Sequence, residues 1–314
     1  MAASSEEIDV QGKHLKVSNL SKVLYPKVGF TKAQLIDYYV RIHEAVLPHL
    51  KDRPLTLKRY PNGVEGMFFY EKRCPTHRPD WVKTVPVLSG SVGEINFCLA
   101  NDLATLVWCA NLADIELHTY LHKGKAPSRP TMIVFDLDPG APADIVQCCQ
   151  VGLWVKETFD RLGLESFAKT SGSKGLQVYV PLNTPCTYDD TKPFAKTLAQ
   201  VLERDHPELV VHKMLKSLRV GKVLVDWSQN DQAKTTVSVY SLRAKERPTV
   251  STPVTWDEVR ACLKAQDAGL LVFDYEAAIE RYQRMGDLFA PVLTMKQKLP
   301  PLHKLGGPVI FGRS

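Results

Sequence analysis

Thr131-Met132-Ile133-Val134-Phe135-Asp136-Leu137-Asp138-Pro139-Gly140 runs four apolar residues into two acids and then into a Pro-Gly turn. The run is short, rich in β-branched and aromatic residues and bounded by turn formers, so it reads as a buried strand. Side chains two apart on a strand share a face, which makes Asp136 and Asp138 project together. Adjacent carboxylates repel and call for a compensating cation. A hard divalent ion with oxygen ligands, Mg²⁺ or Mn²⁺, supplies it. The same pair also suits an ordinary turn at a strand end, so the rest of the chain has to arbitrate.

The chain has 314 residues, 44% hydrophobic and 24% charged, enough for one large domain or two smaller ones. No segment approaches the roughly 20 apolar residues needed to span a bilayer, so no membrane partner is expected. The opening Met1-Ala2-Ala3-Ser4-Ser5-Glu6-Glu7 lacks the apolar centre of a secretory signal, which predicts a cytoplasmic protein. Seven cysteines without a regular framework read as reduced thiols among apolar neighbours. Cys74-Pro75-Thr76-His77 has half the pattern of a zinc site, but no second pair with ligand spacing accompanies it. A net charge of +6 is compatible with a polyanionic partner.

Residues 1–14 are polar and predict a flexible arm or an edge strand. Thr31-Lys32-Ala33-Gln34 has the form of a capping box, and apolar residues at helical spacing predict a helix from Lys32 to Val46. Lys22 and Lys32 flank that helix start, where free N–H groups would favour an anion. A strand ending at Lys58 and Arg59 comes next, then the aromatic run Phe68, Phe69 and Tyr70. Three adjacent strand residues cannot all face one core, so at least one aromatic is available to stack on a base, unless both faces are covered. Periodicity predicts further helices over 101–113, 142–162, 193–204, 256–266 and 275–285, and a strand over 115–120 bearing His118. Neither an internal repeat nor a linker interrupts the chain, so 15–290 reads as one catalytic domain and 291–314 as a tail.

Lys169-Thr170-Ser171-Gly172-Ser173-Lys174-Gly175-Leu176-Gln177 puts small residues, two glycines and a lysine before a strand. Backbone N–H groups and Lys174 could converge there on phosphate, although the spacing is not that of a Walker loop. Val223-Leu224-Val225-Asp226 again delivers an acid from an apolar strand. Two acids one residue apart plus a third from elsewhere suit two-metal phosphoryl transfer, with nearby cations neutralising phosphate charge. The residues by themselves predict a metal-dependent nucleotidyl transferase.

Lys22-Val23-Leu24-Tyr25-Pro26, Lys58-Arg59-Tyr60-Pro61-Asn62-Gly63, Phe135-Asp136-Leu137-Asp138-Pro139-Gly140, Ser171-Gly172-Ser173-Lys174-Gly175-Leu176, Val225-Asp226-Trp227-Ser228-Gln229-Asn230 and Tyr240-Ser241-Leu242-Arg243 occur in this order. In this the chain resembles the polymerase domain of bacterial ligase D, the end-joining branch of the archaeo-eukaryotic primase superfamily. The resemblance implies an α/β fold: a primase-like core of antiparallel sheets, with an RRM-like element, flanked by helices. It implies templated and terminal nucleotide addition to DNA 3′ ends, with ribonucleotides preferred, at gaps and double-strand breaks. Two Mn²⁺ (or Mg²⁺) ions per active site would be held by Asp136, Asp138 and Asp226. By position, His118, Ser171, Lys174, Gln177, Thr235 and Arg243 fall on nucleotide contacts. Lys22 and Lys32 fall on a downstream 5′-phosphate pocket, Lys58 and Arg59 near the template, and Phe69 and Tyr70 on a base-stacking pair. The partners implied are DNA with gaps or broken ends, nucleoside triphosphates, a Ku-type end-binding protein and a ligase, in the bacterial nucleoid. Gln177 departs from the pattern, which usually has histidine there; an amide donates a hydrogen bond but cannot become a cation.

Two other functions fit parts of the sequence. A non-catalytic DNA-end-bridging module would use the lysines and aromatics, but strand-end acids repel DNA unless metals cover them. A metal-dependent nucleotidyltransferase acting on free nucleotides would have no use for a 5′-phosphate pocket.

Overall fold

The computed structural model describes residues 5–88 and 93–306. The apolar strand expected within Thr131–Gly140 spans Met132–Pro139 and lies inside a six-stranded sheet. Its antiparallel neighbours are Leu176–Pro181 on one side and Val223–Asp226 on the other. Phe167–Thr170 and Pro253–Val254 extend the first side, and Val210–Val211 lies parallel at the far edge. In chain order strand, helix, two strands, helix and returning strand make a βαββαβ unit, the RRM-like element expected. The helices Ile145–Arg161 and Tyr188–Asp205 bury their apolar stripes against this sheet.

Alternation decides which face does chemistry. Ile133, Phe135 and Leu137 pack toward those helices, whereas Met132 and Val134 join the other large core. Asp136 and Asp138 continue the Met132–Val134 row and so emerge where the sheet faces a second one. That second sheet runs Thr236–Val237, Asp114–Thr119, Leu55–Arg59, Glu94–Cys98 and Thr84–Leu88, with Phe69–Glu71 also paired to Leu55–Arg59. Behind it lie the helices Lys32–Leu50, capped by the expected Thr31–Gln34 box, and Leu103–Asn111. Two sheets with helices on their outer sides enclose a cleft between them.

Of the two forms expected for the N-terminal residues, a flexible arm or an edge strand, residues 5–14 take the strand: Ser5–Val10 and Lys13–Ser18 form a hairpin whose Leu15 and Val17 are buried. Alternation of apolar residues on the second strand, plus a Lys13–Asp102 ion pair at 2.9 Å, ties it down. The tail also docks as far as it is described. Gln297 donates to the carbonyls of Pro181 and Glu165 and receives from Glu165, and Leu305 is buried. Finally, Cys74 and Cys98 are joined in a disulfide rather than being free thiols. The turn after Phe69–Glu71 brings Cys74 against the strand Glu94–Cys98, where its N–H donates to the Asn96 carbonyl at 2.7 Å. The other five cysteines are free thiols. Among the described residues no helix is long and apolar enough to cross a membrane.

Candidate functional site

Asp226 ends its strand directly opposite Asp136, and Gln177 lies opposite Asp136 on the other side. The three acids expected from sequence therefore stand together on two adjacent strands, Asp138 two residues along from Asp136, and of them Asp136 and Asp138 line the cleft. The Asp136 carboxyl is pushed up to about 6, by burial first and then by Asp138, against a hydrogen bond from Gln177 that pulls it down. Asp226 is turned into its own chain: Oδ1 accepts from the N–H and hydroxyl of Ser228 (2.8 and 2.6 Å), and Oδ2 from Gln229 (3.1 Å). Asp138 is well exposed and has Arg219 at 3.8 Å.

Among the described residues no three His, Cys, Asp or Glu side chains are gathered into a ready metal cage. The donor set nonetheless fits a hard cation, since all three side chains are carboxylates and two face each other across adjacent strands.

The cleft has a volume of about 500 Å³, and its walls include Asp136, Asp138, His118, Ser171, Gln177, Thr235 and Arg243. Tyr70 lines it as well. Seven nucleotide- or metal-assigned side chains thus share one hollow. Lys174 does not line it; it borders an adjoining, more apolar hollow of about 330 Å³ with Ala143 and Phe273.

The Ser171–Gly175 loop is shaped differently from the phosphate cradle expected. The Ser171 hydroxyl accepts from the N–H groups of Ser173 (3.2 Å) and Gly175 (3.1 Å), so those amides are already engaged. Small residues serve close packing here. A Cβ on Gly175 would sit 2.1 Å from the Leu137 carbonyl oxygen, and Gly172 has φ +66° with Ser251 backbone pressed against it. Gly175→Ala is therefore expected to cost about 1–3 kcal/mol of stability, read as a lowered melting temperature. An unchanged melt would mean that the loop can move away from the central strand.

Two functional groups were not singled out in the sequence. Glu116, 1% exposed, collects Lys58 (3.1 Å), His118 (3.0 Å) and Arg243 (3.4 Å) on one carboxylate oxygen. Burial pushes its pKa up, but the His118 hydrogen bond and the charges of Arg243, His118 and Lys58 overcome this and hold it well below the usual range. Its signal was the alternation Glu116-Leu117-His118, which puts both polar side chains on one face. Arg243 then reaches the Ser171 carbonyl at 2.6 Å, linking Glu116 to the loop. Lys169, fully buried and directly opposite Gln177 on the neighbouring strand, is the second group.

The expected DNA contacts fall into two places. Phe68, Phe69 and Tyr70 are all about half exposed. Lys58 lies under the first and third, 4.9 and 5.4 Å from the ring centres. Tyr70 also touches His118 edge-on, so this aromatic group borders the cleft. Lys22 and Lys32 form a second place, away from the acids. Lys32 is 6% exposed and donates to the Ser18 carbonyl at 2.7 Å, while Lys22 donates to Asn62 at 3.1 Å. The Lys32 pKa falls to about 8 through burial and then the charges of Lys22 and Arg59, so Arg59 belongs with this pair. Arg59 is otherwise held by Glu71 and the Leu112 carbonyl. The helix start offers no free amides, contrary to expectation: Lys32, Ala33 and Gln34 donate to Lys22, Leu20 and Thr31. Any anion there is held by side-chain cations.

Comparison with known proteins gives the same architecture. The family model described as "LigD, primase-polymerase domain" matches residues 31–289. The multifunctional non-homologous end joining protein LigD of Mycolicibacterium smegmatis is 39% identical over 89% of this chain and 36% of its own length. The bifunctional LigD of Bacillus subtilis is 32% identical over 87% of this chain and 43% of its own length. The chain thus spans less than half the length of these curated relatives. The polymerase domain from Mycobacterium tuberculosis ligase D, solved in complex with DNA, superposes with a TM-score of 0.83 at 37% identity. That match covers 90% of this chain and 99% of the solved one.

Proposed function

The chain belongs to the LigD primase-polymerase domain family, and on that premise we propose that it adds nucleotides to DNA 3′ ends, filling gaps during repair of double-strand breaks by end joining. The observation that carries this is the pairing of Asp136 with Asp226 across adjacent strands, where Asp136 and Asp138 line a cleft together with Ser171 and Arg243. Asp136, Asp138 and Asp226 would hold two Mn²⁺ or Mg²⁺ ions. Such ions, when bound, activate the attacking 3′ hydroxyl and screen the triphosphate.

The chain's own residues supply position and charge. Arg243 neutralises phosphate oxygens from the loop side. Glu116 keeps Arg243, His118 and Lys58 in place, which fixes the positions of Arg243 and His118 on the cleft wall. Thr235, on the segment beside Thr236–Val237, borders the sugar end. Tyr70, with Phe69 beside it, offers a stacking surface to bases of the template strand, with Lys58 beneath. Ribonucleotides are the preferred substrates, and a Ku-type protein and a ligase are the partners in the bacterial cytoplasm. Primer extension on a gapped duplex with Mn²⁺, comparing rNTPs with dNTPs, tests the function. Absence of extension with both, alongside intact DNA binding, would instead favour the end-bridging role.

Lys22, Lys32 and Arg59 form the pocket for the downstream 5′-phosphate. A terminal phosphate carries more charge than an internal diester, so a fixed cation group prefers it. Lys32→Ala is expected to cost on the order of 1.5–3 kcal/mol on gapped DNA bearing the phosphate and little on DNA lacking it. Preference for the phosphate should be full at pH 7, where Lys32 is charged, and decline as pH rises through about 8. Binding titrations on both DNAs from pH 6.5 to 9 read both effects. Equal loss on both would make these lysines general backbone contacts.

A further inference from the structure

Lys169, Gln177, Asp136 and Asp226 form one row across four neighbouring strands, each directly opposite the next. Directly opposed residues of antiparallel strands share a face, so a buried lysine, an amide and two acids stand side by side. The hydrogen-bond directions along the row are determined. Lysine has donors only. The Lys169 ammonium donates to Gln177 Oε1 at 2.5 Å and to Ser251 Oγ at 2.7 Å. Ser251 in turn gives its hydroxyl proton to the Thr170 carbonyl at 2.8 Å, leaving its lone pair for the lysine. With its oxygen taken, the Gln177 amide turns its NH₂ the other way, toward Thr236 Oγ1 at 3.3 Å and Asp136.

We propose that Lys169 is a positioning residue for the acid site: it locks the Gln177 amide so that a donor, not an acceptor, faces Asp136. Without that lock the amide can rotate and set its oxygen against the carboxylate, which would push Asp136 out of line. This rests on the nucleotidyl-transfer function above, with Asp136 as a metal ligand. The ligand-orienting role it assigns to the pair Lys169–Gln177 is the kind usually taken by outer groups that hold a metal ligand in place.

The charge of Lys169 and its orienting role make opposite demands on metal binding, and this separates them. As a mere cation near two acids, Lys169 repels Mn²⁺, so its removal would tighten binding. As an orienting group, its removal loosens binding. Lys169→Met keeps the length and apolar contacts of the buried stem, and thermal melting reports whether it folds. Mn²⁺ titration of the protein without DNA or nucleotide is expected to show Lys169→Met binding about 10- to 100-fold more weakly. Gln177→Leu should be weakened to a similar degree, and the double variant no further, because both changes break one link. Tighter or unchanged Mn²⁺ binding in Lys169→Met overturns the proposal, as do losses that multiply in the double variant. If Lys169→Met does not fold, Gln177→Leu alone decides, since unchanged binding there removes the amide from the site. Failure of the nucleotidyl-transfer reading is visible separately, as wild-type protein that binds Mn²⁺ but does not extend a primer.

Discussion

Asp136→Ala and Asp226→Asn are each expected to reduce nucleotide addition by at least about 10²–10³-fold while DNA binding stays near wild type. Asparagine is the better choice at Asp226 because that carboxylate also caps the short helix Trp227–Gln229, accepting from Ser228 N–H at 2.8 Å. Asparagine caps nearly as well, so the change removes charge and leaves the turn intact. At Asp136 alanine relieves like-charge repulsion from Asp138 and Asp226, which is why the fold should tolerate it. The check is primer extension beside a DNA-binding titration with the same substrate. Residual extension above a few per cent in either variant would take that acid out of the metal site. Parallel loss of DNA binding would show that the change had disturbed the cleft as a whole.

Glu116→Ala is expected to be the most damaging change away from the acids. Its carboxylate is 1% exposed, compensates the charges of Lys58 and Arg243, and bonds His118, whose pKa burial lowers. Removing one partner of a buried ion group typically costs about 3–5 kcal/mol, because the partners' charge is left uncompensated. Here the three partners keep some contact with solvent, which favours the lower end. The pH dependence has a definite sign. The folded-state pKa of Glu116 is held below its unfolded value, so its contribution is fully present above the ordinary glutamate range. It is lost as pH falls through that range toward the depressed folded value. Chemical denaturation of wild type and Glu116→Gln at pH 7 and in acid reads this: the gap between them should be wide at pH 7 and narrow on acidification. A gap that stays constant would mean that the cations are satisfied by solvent and that Glu116 fills space only. Extension activity should fall in the same variant, since Arg243 then loses the anchor that aims it at Ser171.

Much of this protein was legible without a structure where the information is local. Strand alternation put Asp136 and Asp138 on one face, the capping box placed the helix start at Lys32, and apolar periodicity located the helix Tyr275–Met285 at its observed bounds. Ordered blocks of residue types carried the family and the α/β fold. Tertiary structure alone decided the rest, because it depends on partners far apart in the chain. Which strand lies beside Met132–Pro139 is a matter of register, and only that register sets Asp226 and Gln177 on either side of Asp136. Glu116 and Lys169 looked like ordinary strand residues until burial removed water and left them with specific partners, 128 residues away for Glu116 to the Ala244 N–H and 82 for Lys169 to Ser251. The free amides expected before Gln34 and inside the Ser171–Gly175 loop were already bonded within the chain. A sequence shows which donors exist; only the folded chain shows which of them remain to bind something else.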